Sequence, residues 1–344
     1  MEMTQLNKRQ KQILEYISRN KGSSNKRILE HFDESVSRST VARDLAFLCE
    51  KGLIEKKGKG RSTTYFENIP NELLFFIDPE TYFKKEMDER KLLKFDVFEN
   101  LNTLFFKEEL DELDKLNNDY RERMKKLTPA FLKKEQERIV IEFAWKSSKI
   151  EGNTYNLIDT EFLLLKNEKA KEHTEEEAKM LLNHKKGFDF VFKEKKGFQK
   201  LSVGLIENIH TLLTFDLKIK KGIRKRGVRI LGTNYIPISN EYQIKEALEK
   251  LVLLVNSTEH PIEKAFLVYV LLPYIQPFED GNKRTSRLLL NAILFAYNYS
   301  LLSLRSINEK DYKKGLILFY EQNNLRLLKE LLVNQFRFSC ENYF

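Results

Sequence analysis

Gln276-Pro277-Phe278-Glu279-Asp280-Gly281-Asn282-Lys283-Arg284-Thr285-Ser286-Arg287 is a glycine-bearing loop that runs directly into a strongly apolar helix. Gly281 lets the backbone turn tightly, and the amides that open the following helix point outward without partners. They can therefore hold an anion, which the helix dipole also favours. Arg284 and Arg287 are three apart and share a helix face, so two guanidinium forks meet neighbouring phosphate groups. Asp280 offers a carboxylate to a hard cation such as Mg2+. Together these residues point to a site for a nucleotide polyphosphate. The same residues also allow a plainer reading, a loop that caps a helix whose arginines form surface ion pairs.

Outward from this loop the apolar residues keep a helical period. The spacing predicts helices over 135–151, 159–166, 175–192, 205–213, 243–254, 263–274, 285–297 and 309–336, an all-α body. Upstream, 95–126 is charge-rich with Leu101, Leu104, Phe105, Leu110, Leu113 and Leu116 on one face, an amphipathic helix or helix pair that Pro129 closes. Between 68 and 94 the period is lost and Pro70 and Pro79 appear, which sets a boundary near residues 67–75. The expected organisation is a head over 1–70, a helical connector over 71–134 and a helical domain over 135–344.

The 344 residues are 41% hydrophobic and 32% charged with only 13 Gly and 7 Pro, which excludes disorder and collagen and favours long helices. Cys49 and Cys340 are too few for a disulfide framework or a cysteine-rich metal site, so a reducing cytoplasm is expected. The longest uncharged stretch, 288–304, is interrupted by Asn291, Asn298 and Ser300 and falls short of a membrane span; no membrane association is expected.

The head is basic, with 14 Lys and Arg against 8 Asp and Glu over residues 1–66. Ile13, Leu14 and Ile17, then Ile28, Leu29 and Phe32, mark two helices on either side of a break at 22–24. Ser37 can cap a third, with Val41, Leu45 and Leu48 inward and Arg38, Ser39, Thr40 and Arg43 outward. Two strands over 53–57 and 62–67 flank the turn Gly58-Lys59-Gly60-Arg61. This order resembles a winged helix-turn-helix domain. The resemblance implies that Arg38, Ser39, Thr40 and Arg43 enter the major groove of double-stranded DNA and that 56–61, with Lys59 and Arg61, lies on the phosphate backbone. A winged helix kept for protein contacts remains the alternative.

The loop at 276–287 resembles the signature of the Fic family, HPFx(D/E)GNGRxxR, matched by Pro277, Phe278, Asp280, Gly281, Asn282, Arg284 and Arg287. The fold implied is mainly α, a compact helical core with a β-hairpin flap. The activity implied is transfer of AMP from ATP, with Mg2+, to a hydroxyl of a target protein, and a homodimer is a family expectation. Gly281, Asn282, Lys283, Arg284 and Arg287 would then hold the nucleotide, Asp280 the metal, and Asn282 with the loop amides the transferring charge. Upstream, Ser147, Glu151 and Gly152 match the family's inhibitory helix, [S/T]xxxE[G/N], which implies a Glu151 to Arg287 ion pair that displaces the γ-phosphate. Residues 226–238, where Val228 and Ile230 alternate ahead of Gly232-Thr233-Asn234, resemble the flap hairpin that aligns a target by strand addition.

Two positions depart from the pattern. Gln276 stands where active members carry a histidine; an amide takes no proton, so a general-base contribution of about 100- to 10,000-fold is expected to be missing. Gln276 can still orient a hydroxyl or a water. Lys283 replaces a glycine and makes the loop similar to that of the Doc branch, which transfers a phosphoryl group with the nucleotide reversed. AMP, phosphate or nothing is transferred on these grounds. Two further alternatives are AMP removal, with Glu151 placing a water, and a DNA-bound regulator whose core only senses nucleotide. His210 reads as structural, and His173, His184 and His260 receive no role.

Overall fold

The computed structural model describes residues 6–32, 36–93 and 97–343, apart from the Arg61 side chain, so the reading of Arg61 lies outside the described residues. Two compact units emerge, Met1–Phe105 with Glu321–Arg326, and Phe106–Tyr320 with Leu327–Phe344. The stretch read as a connector, 71–134, is thus divided between them.

In the first unit α1 (Lys8–Arg19) opens on a capping box between Asn7 and Gln10 and buries Ile13, Leu14 and Ile17. Ser24 caps α2 (Asn25–Glu30), and the Ser37 hydroxyl accepts the Thr40 amide at the start of α3 (Arg38–Glu50). Val41, Leu45 and Leu48 of α3 join the α1 residues in one core. The expected hairpin is present as β2 (Ile54–Lys57) and β3 (Thr64–Glu67). The break at 22–24 holds more than a turn: Ser23–Ser24 is a strand, β1, on the other side of β3, giving the order β1-β3-β2. A short helix, α4 (Pro79–Tyr82), follows.

The expected continuous helix over 309–336 is two helices, α13 (Glu309–Gln322) and α14 (Arg326–Asn342). The backbone amide of Leu325 donates to Leu73 O at 2.7 Å, that of Leu93 to Glu321 O at 2.8 Å, and Asn324 Nδ2 to Phe75 O. These bonds, with Asn323 in the left-handed region at φ 49°, interrupt the helix over 323–325.

The second unit is helical. The helix expected over 95–126 begins only at α5 (Lys107–Met124), because 97–100 is a separate 3-10 turn. Pro129, read as closing that helix, instead opens the next one: it sits in the first turn of α6 (Pro129–Ile150) behind the Thr128 cap. Then come α7 (Leu157–Lys166), α8 (Glu175–Lys193), α9 (Val203–Leu213), α10 (Glu241–Ser257), α11 (Pro261–Ile275) and α12 (Asn282–Ala296). Helix α12 is central, packed against α6, α8, α9 and α11 with Leu288, Leu289, Leu290 and Ile293 sealed from solvent. Among the described residues no helix is long and apolar enough to cross a membrane.

The flap expected over 226–238 turns at Leu231-Gly232 but carries no strand ladder. One side chain supplies the closure that ladder bonds would give. The buried Arg224 guanidinium donates through Nη1 to Arg226 O at 2.7 Å and through Nη2 to Ile238 O, pinning both arms at their base.

Candidate functional site

The loop between α11 and α12 is fixed by its own side chains. Gln276 ends α11 in the left-handed region, φ 52° and ψ 58°. Its Nε2 donates to Pro273 O at 2.7 Å, and its Oε1 accepts Asn282 Nδ2 at 2.9 Å. Asn282 also donates through Nδ2 to Phe278 O and accepts the Phe278 amide on Oδ1, each at 2.9 Å. Both ends of the Gln276 amide and the whole Asn282 side chain are therefore spent on the loop itself. Phe278 lies flat on His210, ring centres 3.7 Å apart, and His210 Nε2 donates to Asp280 O at 2.9 Å. Burial pushes the His210 imidazole down to about 4, so it stays neutral and keeps this single donor. Gly281 sits at φ 82°, where a Cβ would come within 2.9 Å of Thr214 Cγ2.

Helix α12 starts at Gly281 without a side-chain cap, so its first amides face outward beside a positive dipole end. Arg284 is 3% exposed and Arg287 fully buried. Arg284 Nη2 reaches Asp280 Oδ2 at 3.2 Å, while its Nη1 is buried without a hydrogen-bond partner among the described residues. A buried cationic donor left unpaired is costly, and an anion bound here would satisfy it.

A second acid at this cradle comes from the end of α6. Glu151 follows the last helical residue, and Gly152, at φ 100°, turns the chain away. A carboxylate is disfavoured at a helix C-terminus, so Glu151 must be held by charges elsewhere. Its Oε2 meets Lys283 Nζ at 2.7 Å, and its Oε1 lies 2.8 Å from Arg287 Nη1, a charge contact outside hydrogen-bond geometry. Burial alone would push this carboxyl up; Arg287 and Lys283 outweigh it and hold the group down to about 2. Lys283 and Arg287 are one helical turn apart, so a single carboxylate bridges both.

Behind Arg287 stands a relay in which each donor dictates the next. Met180 O can only accept, so His184 Nδ1, 2.8 Å away, is the protonated nitrogen. His184 Nε2 is then an acceptor, and the Ser147 hydroxyl, 3.0 Å away, donates to it. The Ser147 oxygen is left to accept Arg287 Nε at 3.0 Å, while Ser147 O accepts Nη2 at 2.9 Å. Burial pushes the His184 imidazole down to about 3, which keeps this pattern intact. Tyr312 completes the cage, its OH 3.4 Å from Arg287 Nη1.

The Fic/DOC family model matches residues 200–294, which include this loop and the start of α12. That stretch of the chain is a Fic/DOC domain. A DeoR-like helix-turn-helix domain is matched over residues 9–62. A protein adenylyltransferase Fic from Nematostella vectensis is 49% identical over 53 residues, 15% of this chain and 12% of the relative. Protein adenylyltransferase fic-1 of Caenorhabditis elegans is 35% identical over 86 residues, 24% of this chain and 17% of the relative. The matches thus span less than a fifth of those relatives. The fold of a C. elegans Fic-1 structure is similar at a TM-score of 0.60, with 22% identity over 69% of this chain and 71% of that one. A Fic-domain signalling protein from Bacteroides thetaiotaomicron gives 0.56, with 22% identity over 67% and 94%.

Ser147 and Glu151, at the end of α6, lie together with Lys283 and Arg287 of α12 as one cluster, with Gly281, Asn282 and Arg284 on the adjoining turn. Lys283, expected to hold the nucleotide, is paired with Glu151 in this structure. Sequence reasoning missed two members of this site. His184 received no role and sets the Ser147 hydroxyl; its polar neighbours in sequence, Asn183, Lys185 and Lys186, gave no signal. Arg224 donates through Nε to Gln276 O at 2.6 Å and ties the flap to the loop. For Mg2+, Asp280 is a lone carboxylate, 69% exposed, and among the described residues no cluster of three metal-binding side chains exists. One carboxylate completed by phosphate oxygens and water suits Mg2+, so the residues fit that ion only alongside a nucleotide.

In the helix-turn-helix domain, Arg38, Ser39 and Arg43 are exposed on α3, with Thr40 half-buried, and Lys59 is exposed on the turn between β2 and β3. Arg9 and Gln10 of α1 hold the buried Asp44 of α3, at 2.5 and 3.1 Å, which fixes the angle between the two helices.

Proposed function

We propose that the Fic domain binds ATP at the start of α12 and is built to transfer AMP to a hydroxyl of a protein, with Glu151 holding the site shut. The observation that carries this is the single carboxylate bridging Lys283 and Arg287 in front of an uncapped helix. Glu151 stands in for the oxygens of a terminal phosphate, so a nucleotide must displace it to reach both cations. With the carboxylate gone, Arg284 and Arg287 take the phosphates and the first amides of α12 hold the charge that develops on them. Asp280 would hold Mg2+, which supplies charge neutralisation between phosphates. In the transfer, the acceptor oxygen bonds to the α-phosphorus, the bond to the β-phosphate oxygen breaks, pyrophosphate leaves and the hydroxyl proton passes to solvent.

Transfer is slow in this reading because no base receives that proton. The Gln276 amide is engaged by Pro273 and Asn282, so it neither titrates nor turns freely toward an acceptor. Asn282 acts by holding the loop. Incubation of the Glu151→Gly, Gln276→His protein with ATP labelled at the α or the γ position tests the assignment. Label from the α position on protein is the expected result. Label from γ alone indicates phosphoryl transfer, and none from either overturns the enzymatic reading.

A second reading concerns the head. The exposed Arg38, Ser39 and Arg43 on a capped helix, with Lys59 on the wing, support double-stranded DNA as its partner. Binding to mixed duplex DNA that weakens steeply with salt is expected; salt-independent or absent binding would contradict it.

A further inference from the structure

Residues 217–231 hold seven Lys and Arg and no Asp or Glu, in a chain whose totals, 60 against 51, are nearly balanced. Six of the seven, Lys218, Lys220, Lys221, Lys225, Arg226 and Arg229, are exposed. Lys218, Lys220 and Lys225 have carboxylates only at 3.6–3.8 Å, contacts of little strength between exposed groups. Among the described residues, Lys221, Arg226 and Arg229 meet none. The seventh, Arg224, is buried and fixes the segment to the signature loop through Gln276 O, while its own amide donates to Pro277 O at 2.9 Å. The cations therefore ride on a segment tied to the signature loop.

We propose that residues 217–231 dock an acidic segment of the protein that presents its hydroxyl to this site. The proposal rests on the AMP-transfer reading for the role of that hydroxyl. Charge complementarity argues for acid: six like charges on one short stretch repel one another and gain from a partner of opposite sign. Two apolar side chains among them argue for a polypeptide over a nucleic acid. Leu231 is 98% exposed and Ile236 57% exposed at and just beyond the turn. A phosphate backbone would leave both in water, whereas a peptide can cover them.

Fluorescence anisotropy on the full chain, without nucleotide, tests this with labelled threonine peptides in which glutamate is progressively replaced by glutamine. Affinity should fall with each glutamate lost and with rising salt. The Lys221→Glu, Arg226→Glu, Arg229→Glu protein should bind the glutamate peptide at least about tenfold more weakly, while duplex DNA binding stays the same. The corresponding triple glutamine protein should fall between, which guards against a folding defect in the charge-reversed chain. Equal binding of glutamate and glutamine peptides, or unchanged binding by both variants, would overturn the proposal. Loss of DNA binding in place of peptide binding would overturn it too, by assigning the segment to nucleic acid. Because no nucleotide is present, a chain that transfers nothing still answers the docking question.

Discussion

Helices α3 and α12 each carry two arginines in their first two turns, and they treat them in opposite ways. At α3 the Ser37 hydroxyl caps the helix, and Arg38 and Arg43 stand in solvent. At α12 no side chain caps the helix, and Arg284 and Arg287 are withdrawn from water into the centre of a helical body. Hydrated cations suit a ligand met as an extended line of charge, whose affinity follows salt. Desolvated cations cost several kcal/mol each unless an anion meets them, and so suit a small polyanion in one fixed geometry. The same residue type thus gives a surface in one unit and a pocket in the other.

The sharpest way to break this contrast is to delete one arginine from each helix. Arg287→Ala strips Glu151 of its buried partner and leaves the Ser147 relay pointing at a void, so a loss of about 3–5 kcal/mol is expected in urea denaturation. Arg38→Ala should stay within about 0.5 kcal/mol. Similar losses at both positions would mean that burial does not separate the two helices.

Titration gives the next largest effect. The folded-state values of His184 and His210 are depressed, to about 3 and about 4, from an ordinary 6.5. Below 6.5 the unfolded chain therefore takes up protons that the folded chain refuses. Stability is fully present above 6.5 and declines as pH falls, until the folded values are passed. By pH 5 the loss should approach about 2 kcal/mol per imidazole. His184→Phe should roughly halve the slope, and a profile that is flat between pH 7 and 5 would contradict the relay. Glu151 runs over a different window: its contribution is whole above 4.5 and lost as pH falls through about 2, so the lock does not open under mild acid.

Smaller effects sharpen the α3 side. Ser37→Ala should cost about 1 kcal/mol through the lost cap. Arg38→Ala with Arg43→Ala should leave stability unchanged and lower the slope of log affinity for DNA against log salt by about 2. An unchanged slope would remove both residues from the phosphate contacts.

Much of this was legible in the sequence because it is local. Three turns of apolar spacing and the cap at Ser37 define α3, and Gly281 followed by two arginines three apart defines the cradle. Features that depend on distant segments were hidden. Pro129 can close one helix or open the next, and only the Thr128 cap decides. The break after α13 follows from bonds between 321–325 and 73–93, which no helical period reveals. His184 matters because α8 brings it to Ser147, 37 positions away in sequence. The flap's alternating residues suggested a hairpin, yet Arg224 closes the base without a ladder.

Lys283 links the site to its lock and should act in opposite directions in two backgrounds. Alone, Lys283→Met should raise ATP affinity a few-fold by loosening Glu151; beside Glu151→Gly it should lower affinity, since the freed ammonium then serves the phosphate. The most direct test of the whole account is calorimetry with ATP and Mg2+ on the parent and the Glu151→Gly protein. At least about tenfold tighter binding without the carboxylate is expected, more than 1.4 kcal/mol. Equal affinity in the two proteins would contradict the claim that Glu151 occupies the place of a phosphate.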